Sequence, residues 1–345
     1  QGHDDRLGEG MTQMLNTNDG TASTDSAHKG GAASGSTIRS NRPVPLLKRM
    51  ARSWQLYVLL LPSLIWLVLF AYLPMYGLQI AFKEFNPIQG IIDSPWVGLA
   101  QFARFFESNN FGPLLCNTIS LALYELIAGF PIPIVLALAL NALRQKYLSR
   151  SVQLITYAPN FLSVVVVVGI IMMILDPQIG VVHQALGALG FEAPQFLTDP
   201  GWFRHIYVWS GIWQTAGFSA IMYLAALSSV PPELHEAAKV DGASLFRRTL
   251  HIDLPSIMPI AVILLILSVG NILNTGFEKV LLLQNPLNLT VSQVIDTYVY
   301  EVGLKSPIPQ FSYATAIGLF KSVVGLILLL AVNFFANKTT KSGLF

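Results

Sequence analysis

Residues 233–259 read ELHEAAKVDGASLFRRTLHIDLPSIMP and hold seven acidic or basic residues and two histidines. Across all 345 residues, Asp, Glu, Lys and Arg together make up only 12%, so charge is concentrated in this one stretch. What surrounds such an island decides what it is. Here 53% of residues are hydrophobic and the mean hydropathy is +0.54, whereas an ordinary soluble domain carries roughly 25% charged residues. The chain therefore belongs in a membrane.

Crossing about 30 Å of hydrocarbon takes on the order of 20 helical residues. Six apolar blocks approach that length: Leu56–Phe82, Asn117–Leu143, Ala158–Leu175, Ile206–Val230, Ile260–Ile272 extended by a few polar residues, and Ala314–Ala336. The first is too long for a signal peptide and begins more than fifty residues into the chain, so it is expected to stay as a helix. Residues 1–45 are rich in Gly, Ser, Thr, Asp and Asn and cannot bury enough apolar surface to fold, which predicts a disordered tail ahead of a transmembrane domain over residues 46–345.

Orientation follows from Lys and Arg, which are retained on the cytoplasmic side. With six spans both termini share one side. That side, with residues 233–259, holds thirteen basic residues from Arg39 onward, against five in the opposite loops. Lys321 is left out of this count as a residue at a helix start. The termini and the charged stretch of a multi-pass membrane protein are thus expected on the cytoplasmic side.

Other chemistries find little support. The single cysteine, Cys116, cannot form an internal disulfide or a thiolate metal site. The histidines form neither HExxH nor a Cys/His cluster, and no Gly-x-Ser-x-Gly is present, so neither a metal centre nor catalysis is expected. Gly30–Thr37 has the glycines of a phosphate loop but no lysine, so the chain has no nucleotide-binding motif. No basic patch interleaved with aromatics points to nucleic acid.

Within the charged stretch, Pro231-Pro232 stops the fourth span and Pro232 can open a short helix whose Glu233 and Glu236 suit the helix dipole. Leu234, Ala237, Ala238 and Asp241 share one face, and Gly242 ends the helix. Ser244 can cap a second short helix with Phe246, Leu250 and Leu254 on one side, and Pro255 leads to the fifth span. This local pattern fits a docking element and equally an amphipathic loop with Arg247 and Arg248 at lipid headgroups.

A resemblance separates the two. Glu236-Ala237-Ala238, Asp241-Gly242-Ala243, and Ile252-x-Leu254-Pro255 with Pro259 resemble, in order and spacing, the EAA motif of permease subunits of binding-protein-dependent ABC importers. Pro62, Pro74-Met-Tyr-Gly77, Ala81-Phe-Lys83, Asn117-Thr118, Tyr157-Ala-Pro159, Pro200-Gly-Trp202 and Gly270-Asn-Ile-Leu-Asn274 resemble the permeases for complex carbohydrates, and within them those of alginate importers. The resemblance implies an all-α integral membrane protein of the type I importer permease fold, with six transmembrane helices and a cytoplasmic two-helix coupling loop at about residues 231–259. It implies a second homologous permease, two ATPase subunits that bind ATP and Mg, and a solute-binding protein that delivers an oligo- or polysaccharide such as alginate. The coupling residues it implies are Glu236, Ala237, Ala238, Asp241, Gly242, Ala243, Phe246, Leu254 and Pro255. The outward loops of about thirty residues leave no room for the large periplasmic insertion of maltose-type partners.

For the substrate path, polar residues inside a membrane usually face a cavity or another helix. Asn271, Asn274, Glu278 and Lys279 at the end of the fifth span, and Trp209, Trp213, Gln214 and Tyr223 on the fourth, offer amides, charges and stacking faces for sugar. Helix packing and interfacial anchoring are their structural alternatives, and Glu278 with Lys279 can be a self-neutralising pair. Pro131, Pro133, Pro159, Gly129, Gly169 and Gly217 are expected to bend helices or allow close approach. An ion-coupled transporter would need a mid-membrane carboxylate, for which Glu125 is the candidate.

Overall fold

A chain so apolar satisfies its backbone only by hydrogen-bonding within each segment, and helices do that. The computed structural model describes residues 54–143 and 145–340, and every regular element among them is helical. The expected tail over residues 1–45 lies outside the described residues. By internal contacts the chain divides between residues 63 and 64, and all packing described below lies within residues 64–345.

Helix α1 is Trp54–Phe82. It is apolar on every side and buries nothing before Ala81, the pattern of a helix whose surroundings are themselves apolar. Ala100–Glu107 (α2) precedes Phe111–Ala142 (α3). Tyr147–Phe161 (α4) and Val164–Ile174 (α5) meet at an angle of 103°. Val181–Ala188 (α6) leads to Pro200–Leu227 (α7). Pro232–Val240 (α8) is followed by Leu245–Gly270 (α9), Phe277–Leu283 (α10), Ile295–Tyr300 (α11) and Phe311–Thr340 (α12).

By length and composition, four of these, α1, α3, α9 and the Phe311–Phe335 part of α12, can cross a membrane, or five if α4 with α5 is one bent span. The expected count of six is not reached on those grounds. The fourth predicted block lies in α7, which at 28 residues is about 42 Å long, yet carries Arg204, His205 and Gln214. Its environment explains that composition. α7 packs against α3, α4 and α9 and buries ten of its residues, so protein rather than lipid surrounds much of it.

The third block is not the continuous helix expected from Ala158 to Leu175. Leu162 and Ser163 are extended, and Ser163 Oγ caps α5 by accepting from Val166 N at 3.3 Å. The carbonyl of Leu162, freed by the break, accepts from Gln214 Nε2 of α7 at 3.0 Å. A neighbouring side chain thus restores the bond that the bend removes. Nearby, a Cβ on Gly217 would lie 2.0 Å from the Thr156 carbonyl oxygen, so α7 meets the backbone of α4 where only glycine fits.

Two prolines share one device. Pro74 and Pro255 each follow a five-residue π-helical stretch, Val68–Tyr72 and Thr249–Asp253. A proline ring crowds the carbonyl four residues earlier, those of Phe70 and His251 here, and the wider turn relieves that crowding. As a result Pro255 does not separate a short helix from the fifth span. The second helix expected in the charged stretch is the beginning of α9.

Three apolar clusters hold the body. Leu121, Val168, Phe203, Val208 and Ile212 join α3, α5 and α7, while Ala137, Ala220, Tyr223 and Ile257 join α3, α7 and α9. Phe105, Leu114, Ile295 and Ile317 join α2, α3, α11 and α12. Lys321 lies well inside α12 rather than at a helix start, and it pairs with both carboxylate oxygens of Asp296 at 2.5 and 2.7 Å. Each charge has its partner where solvent does not supply one.

Candidate functional site

The charged stretch folds as a local unit. Pro232 opens α8, Glu233 lies in its first turn and Lys239 in its last, which matches charge to the helix dipole. Gly242 then takes φ +74°. Its N–H donates to Lys239 O at 3.1 Å, and that of Ala243 donates to Ala238 O at 2.9 Å. These two bonds close a helix C-terminus in the Schellman pattern, which glycine enters without a Cβ penalty. Ser244 accepts from Arg247 N at 3.4 Å and starts α9.

No residue of α8 is buried. Glu236, Ala237, Asp241, Gly242, Phe246 and Pro255 are exposed, and Ala238, Ala243 and Leu254 are half-buried. Val240 and Phe246 are 89% and 76% exposed, and Leu234 and Leu250 are also open. Acidic, small and bulky apolar side chains thus share a protruding helix and turn, which suits seating on a protein surface. Val240 escaped the sequence reading because it falls between two motif triplets; its signal was a bulky apolar residue beside a polar turn.

The second region lies at the far end of α9. A cleft of about 570 Å³ is walled by α3, α7 and α9 and takes in Tyr223, Asn271 and Asn274. Tyr223 is also packed into the core. Asn271 follows the last residue of α9; its Nδ2 donates to Leu267 O at 3.1 Å, and Asn274 Nδ2 donates to Asn271 Oδ1 at 3.3 Å. Both amides are exposed and keep hydrogen-bonding capacity to spare. Glu125, Thr215, Ser219 and Ser268 complete the polar lining. The serines and Thr215 were missed because a hydroxyl on an apolar helix can satisfy itself on its own backbone, as Ser268 does on Leu264 O at 2.8 Å.

The other expected path residues lie elsewhere. Gln214 is buried on the bond to Leu162 described above. Trp213 is 52% exposed on α7 and outside the cleft lining, and Trp209 Nε1 donates to Tyr124 Oη at 3.0 Å. Glu278 and Lys279 are on α10 rather than at the end of the fifth span, and they part company. Glu278 is exposed, whereas Lys279 is buried, with Nζ donating to Tyr207 O at 3.0 Å and lying 5.1 Å from the centre of the Tyr207 ring. They do not form the self-neutralising pair that is their alternative reading. A Cβ on Gly211 would lie 3.2 Å from Lys279 Nζ and 3.8 Å from Glu125 Oε1, so these two groups face each other across that glycine.

Asn117-Thr118 has a structural task. Asn117 Nδ2 donates to Thr290 O and Gln293 O at 2.8 and 3.1 Å, its Oδ1 accepts from Arg204 at 3.1 Å, and Thr118 Oγ1 accepts from Ile295 N at 3.0 Å. Together they bind α3 and α7 to the chain entering α11.

Residues 129–341 match the family described as binding-protein-dependent transport system inner membrane component. The chain is 42% identical to Protein LplB of Bacillus subtilis (strain 168) over 308 residues, which cover 89% of this chain and 96% of that protein. It is 44% identical to the polygalacturonan/rhamnogalacturonan transport system permease protein YteP of the same organism, over 87% of this chain and 93% of the other. Among solved structures it is similar to a chain of a bacterial alginate ABC transporter in complex with an alginate pentasaccharide-bound periplasmic protein. That match has 41% identity and a TM-score of 0.79, and covers 87% of this chain and 99% of that one.

Proposed function

The chain belongs to the family of binding-protein-dependent transport system inner membrane components, and on that premise we propose that it is one transmembrane subunit of an ATP-driven importer of acidic oligo- or polysaccharides. Alginate is the first candidate cargo and a polygalacturonan the second. Support for the substrate class comes from the similarity to the alginate transporter chain over nearly all of that chain, and to a permease for polygalacturonan and rhamnogalacturonan. Alginate and polygalacturonan both have a carboxylate on every sugar ring.

The observation that carries the mechanism is the protruding unit of α8 and the Gly242 turn, held by its own backbone bonds and offering Val240 and Phe246 to a partner. In this reading Glu236, Ala237, Ala238, Asp241, Gly242, Ala243, Phe246, Leu254 and Pro255 form the contact with a cytoplasmic ATPase. ATP and Mg bind to that subunit, and this chain hydrolyses nothing. Closure of two ATPases pushes α8, and α9 carries the displacement to the cleft at its other end. A second, similar permease supplies the other half of the path, and a solute-binding protein delivers the sugar from outside.

Six spans follow if α7 and the bent α4–α5 pair cross together with the four apolar helices. Both termini and α8 then lie in the cytoplasm of the bacterial inner membrane, as the basic residues require. Residues 46–345 make up the permease domain, with residues 1–45 as a tail. Sugar passes Asn271 and Asn274, whose amides match hydroxyls, with Tyr223 packed into the wall of the same cleft.

The test is ATP hydrolysis in proteoliposomes holding this chain, its partner permease and the ATPase. Binding protein is added empty or loaded with an alginate, polygalacturonate or neutral malto-oligosaccharide. Stimulation by alginate or polygalacturonate alone is the expected result and identifies the cargo. Stimulation by the neutral sugar overturns the substrate class, and failure of any ATPase to associate overturns the importer reading.

A further inference from the structure

An element that receives a push must be fastened to what it moves. α8 has no buried residue with which to fasten itself. Among the described residues, one of its side chains forms a hydrogen bond or ion pair with another element: His235 Nε2 lies 3.2 Å from Asp253 Oδ1. Asp253 is 4% exposed and lies in the π-helical stretch near the start of α9. The same Oδ1 accepts from Asn141 Nδ2, in the last turn of α3, at 3.4 Å. One carboxylate oxygen therefore joins three helices.

The joint has a physical rationale. A carboxylate buried this far needs donors, because water no longer supplies them. Asn141 Nδ2 donates to it from α3, and His235 Nε2 of α8 pairs with it when that nitrogen carries a proton, so moving either helix leaves the carboxylate with one partner fewer. The π-helical stretch contributes to this placement. One extra residue in a turn rotates the side chains on either side relative to each other by roughly 100°, so the widened turn that accommodates Pro255 also sets the direction of Asp253. Neither partner belongs to the motif triplets: His235 precedes Glu236-Ala237-Ala238, and Asp253 fills the open position of Ile252-x-Leu254-Pro255.

We propose that the His235–Asp253 pair, completed by Asn141, is the tie through which displacement of α8 is passed to α9 and α3. Both residues are positioning residues, and neither contacts nucleotide or sugar. The inference rests on the reading that α8 seats on an ATPase, but makes a separate demand: docking and transmission come apart. Replacing His235 leaves the exposed docking face of Glu236, Val240 and Phe246 in place and removes the fastening.

The experiment uses the reconstituted complex with wild-type chain, His235→Ala or His235→Gln. It measures co-purification of the ATPase, the thermal midpoint in detergent, and ATP hydrolysis with and without loaded binding protein. His235→Ala is expected to hold the ATPase and keep its midpoint while stimulation falls at least fivefold. His235→Gln is expected to recover most of it, because the glutamine amide nitrogen reaches the place of Nε2. Full stimulation in His235→Ala with the ATPase bound overturns the tie and spares the docking reading. Loss of the ATPase from His235→Ala also overturns it, since His235 is then a docking contact. If the wild-type chain binds no ATPase, the docking reading falls and the tie with it.

Discussion

The two ends of α9 are built in opposite ways. At its start, Ser244 caps the helix and Gly242 closes the preceding one through bonds between residues at most five apart, and among the described residues there Asp253 alone reaches further, to His235 and Asn141. At its finish, Asn271 and Asn274 lie at the rim of a cleft whose walls come from α3, α7 and α9, drawn from positions as far apart as Ala122 and Asn274. The turn at the first end is held by bonds among its own neighbours in the sequence. The second exists only once three helices have packed. A device that receives force needs a fixed form, whereas a passage for a bulky polar chain needs a wall with spare hydrogen-bonding groups.

The largest expected effect breaks the local end. Gly242→Pro cannot reach φ +74° and loses the N–H that donates to Lys239 O, a local cost of about 3 kcal/mol or more. Stimulated hydrolysis in proteoliposomes should fall to the basal level while the protein still inserts and purifies. Uptake at the wild-type rate would mean that the turn is not the coupling element.

Next comes a change aimed at the assembled end. Gly217→Ala places a Cβ against the Thr156 carbonyl, and prying α4 from α7 should cost roughly 1–3 kcal/mol. A lowered thermal midpoint in detergent is expected, with ATPase co-purification retained. An unchanged midpoint would show that α4 and α7 are not in close contact there.

A milder version of the first change sharpens it. Gly242→Ala has open space around the new methyl group and should cost only about 1–2 kcal/mol for the left-handed backbone. Coupling should weaken without disappearing, read as the ratio of stimulated to basal hydrolysis. Equal losses from alanine and proline would point to side-chain exclusion at the docking surface rather than turn geometry.

The smallest effect is expected at the cleft. Asn274→Leu removes an exposed amide worth about 1 kcal/mol of hydrogen bonding, roughly fivefold in rate, so uptake of oligosaccharide should slow by that factor while ATPase binding is untouched. No change in uptake would move the sugar path away from Asn274.

How far each end could be read in advance follows from the same difference. The membrane class, the Gly242 stop and the Ser244 cap were legible because each depends on residues close together in the chain. Asn271 and Asn274 were legible as polar residues at the end of an apolar run, and the cleft takes in both. Gln214, Glu278 and Lys279 looked equivalent in the sequence, yet their surroundings separate them: a broken helix engages Gln214, a carbonyl and a ring hold Lys279, and Glu278 stays open. Periodicity and composition determined that this chain makes apolar helices around one charged turn, because those signals act over a few residues. Which polar side chains close a gap and which remain free was decided only by the packing of α3, α4, α7, α9 and α10, because a buried group takes whatever partner the neighbouring helix brings within hydrogen-bonding distance.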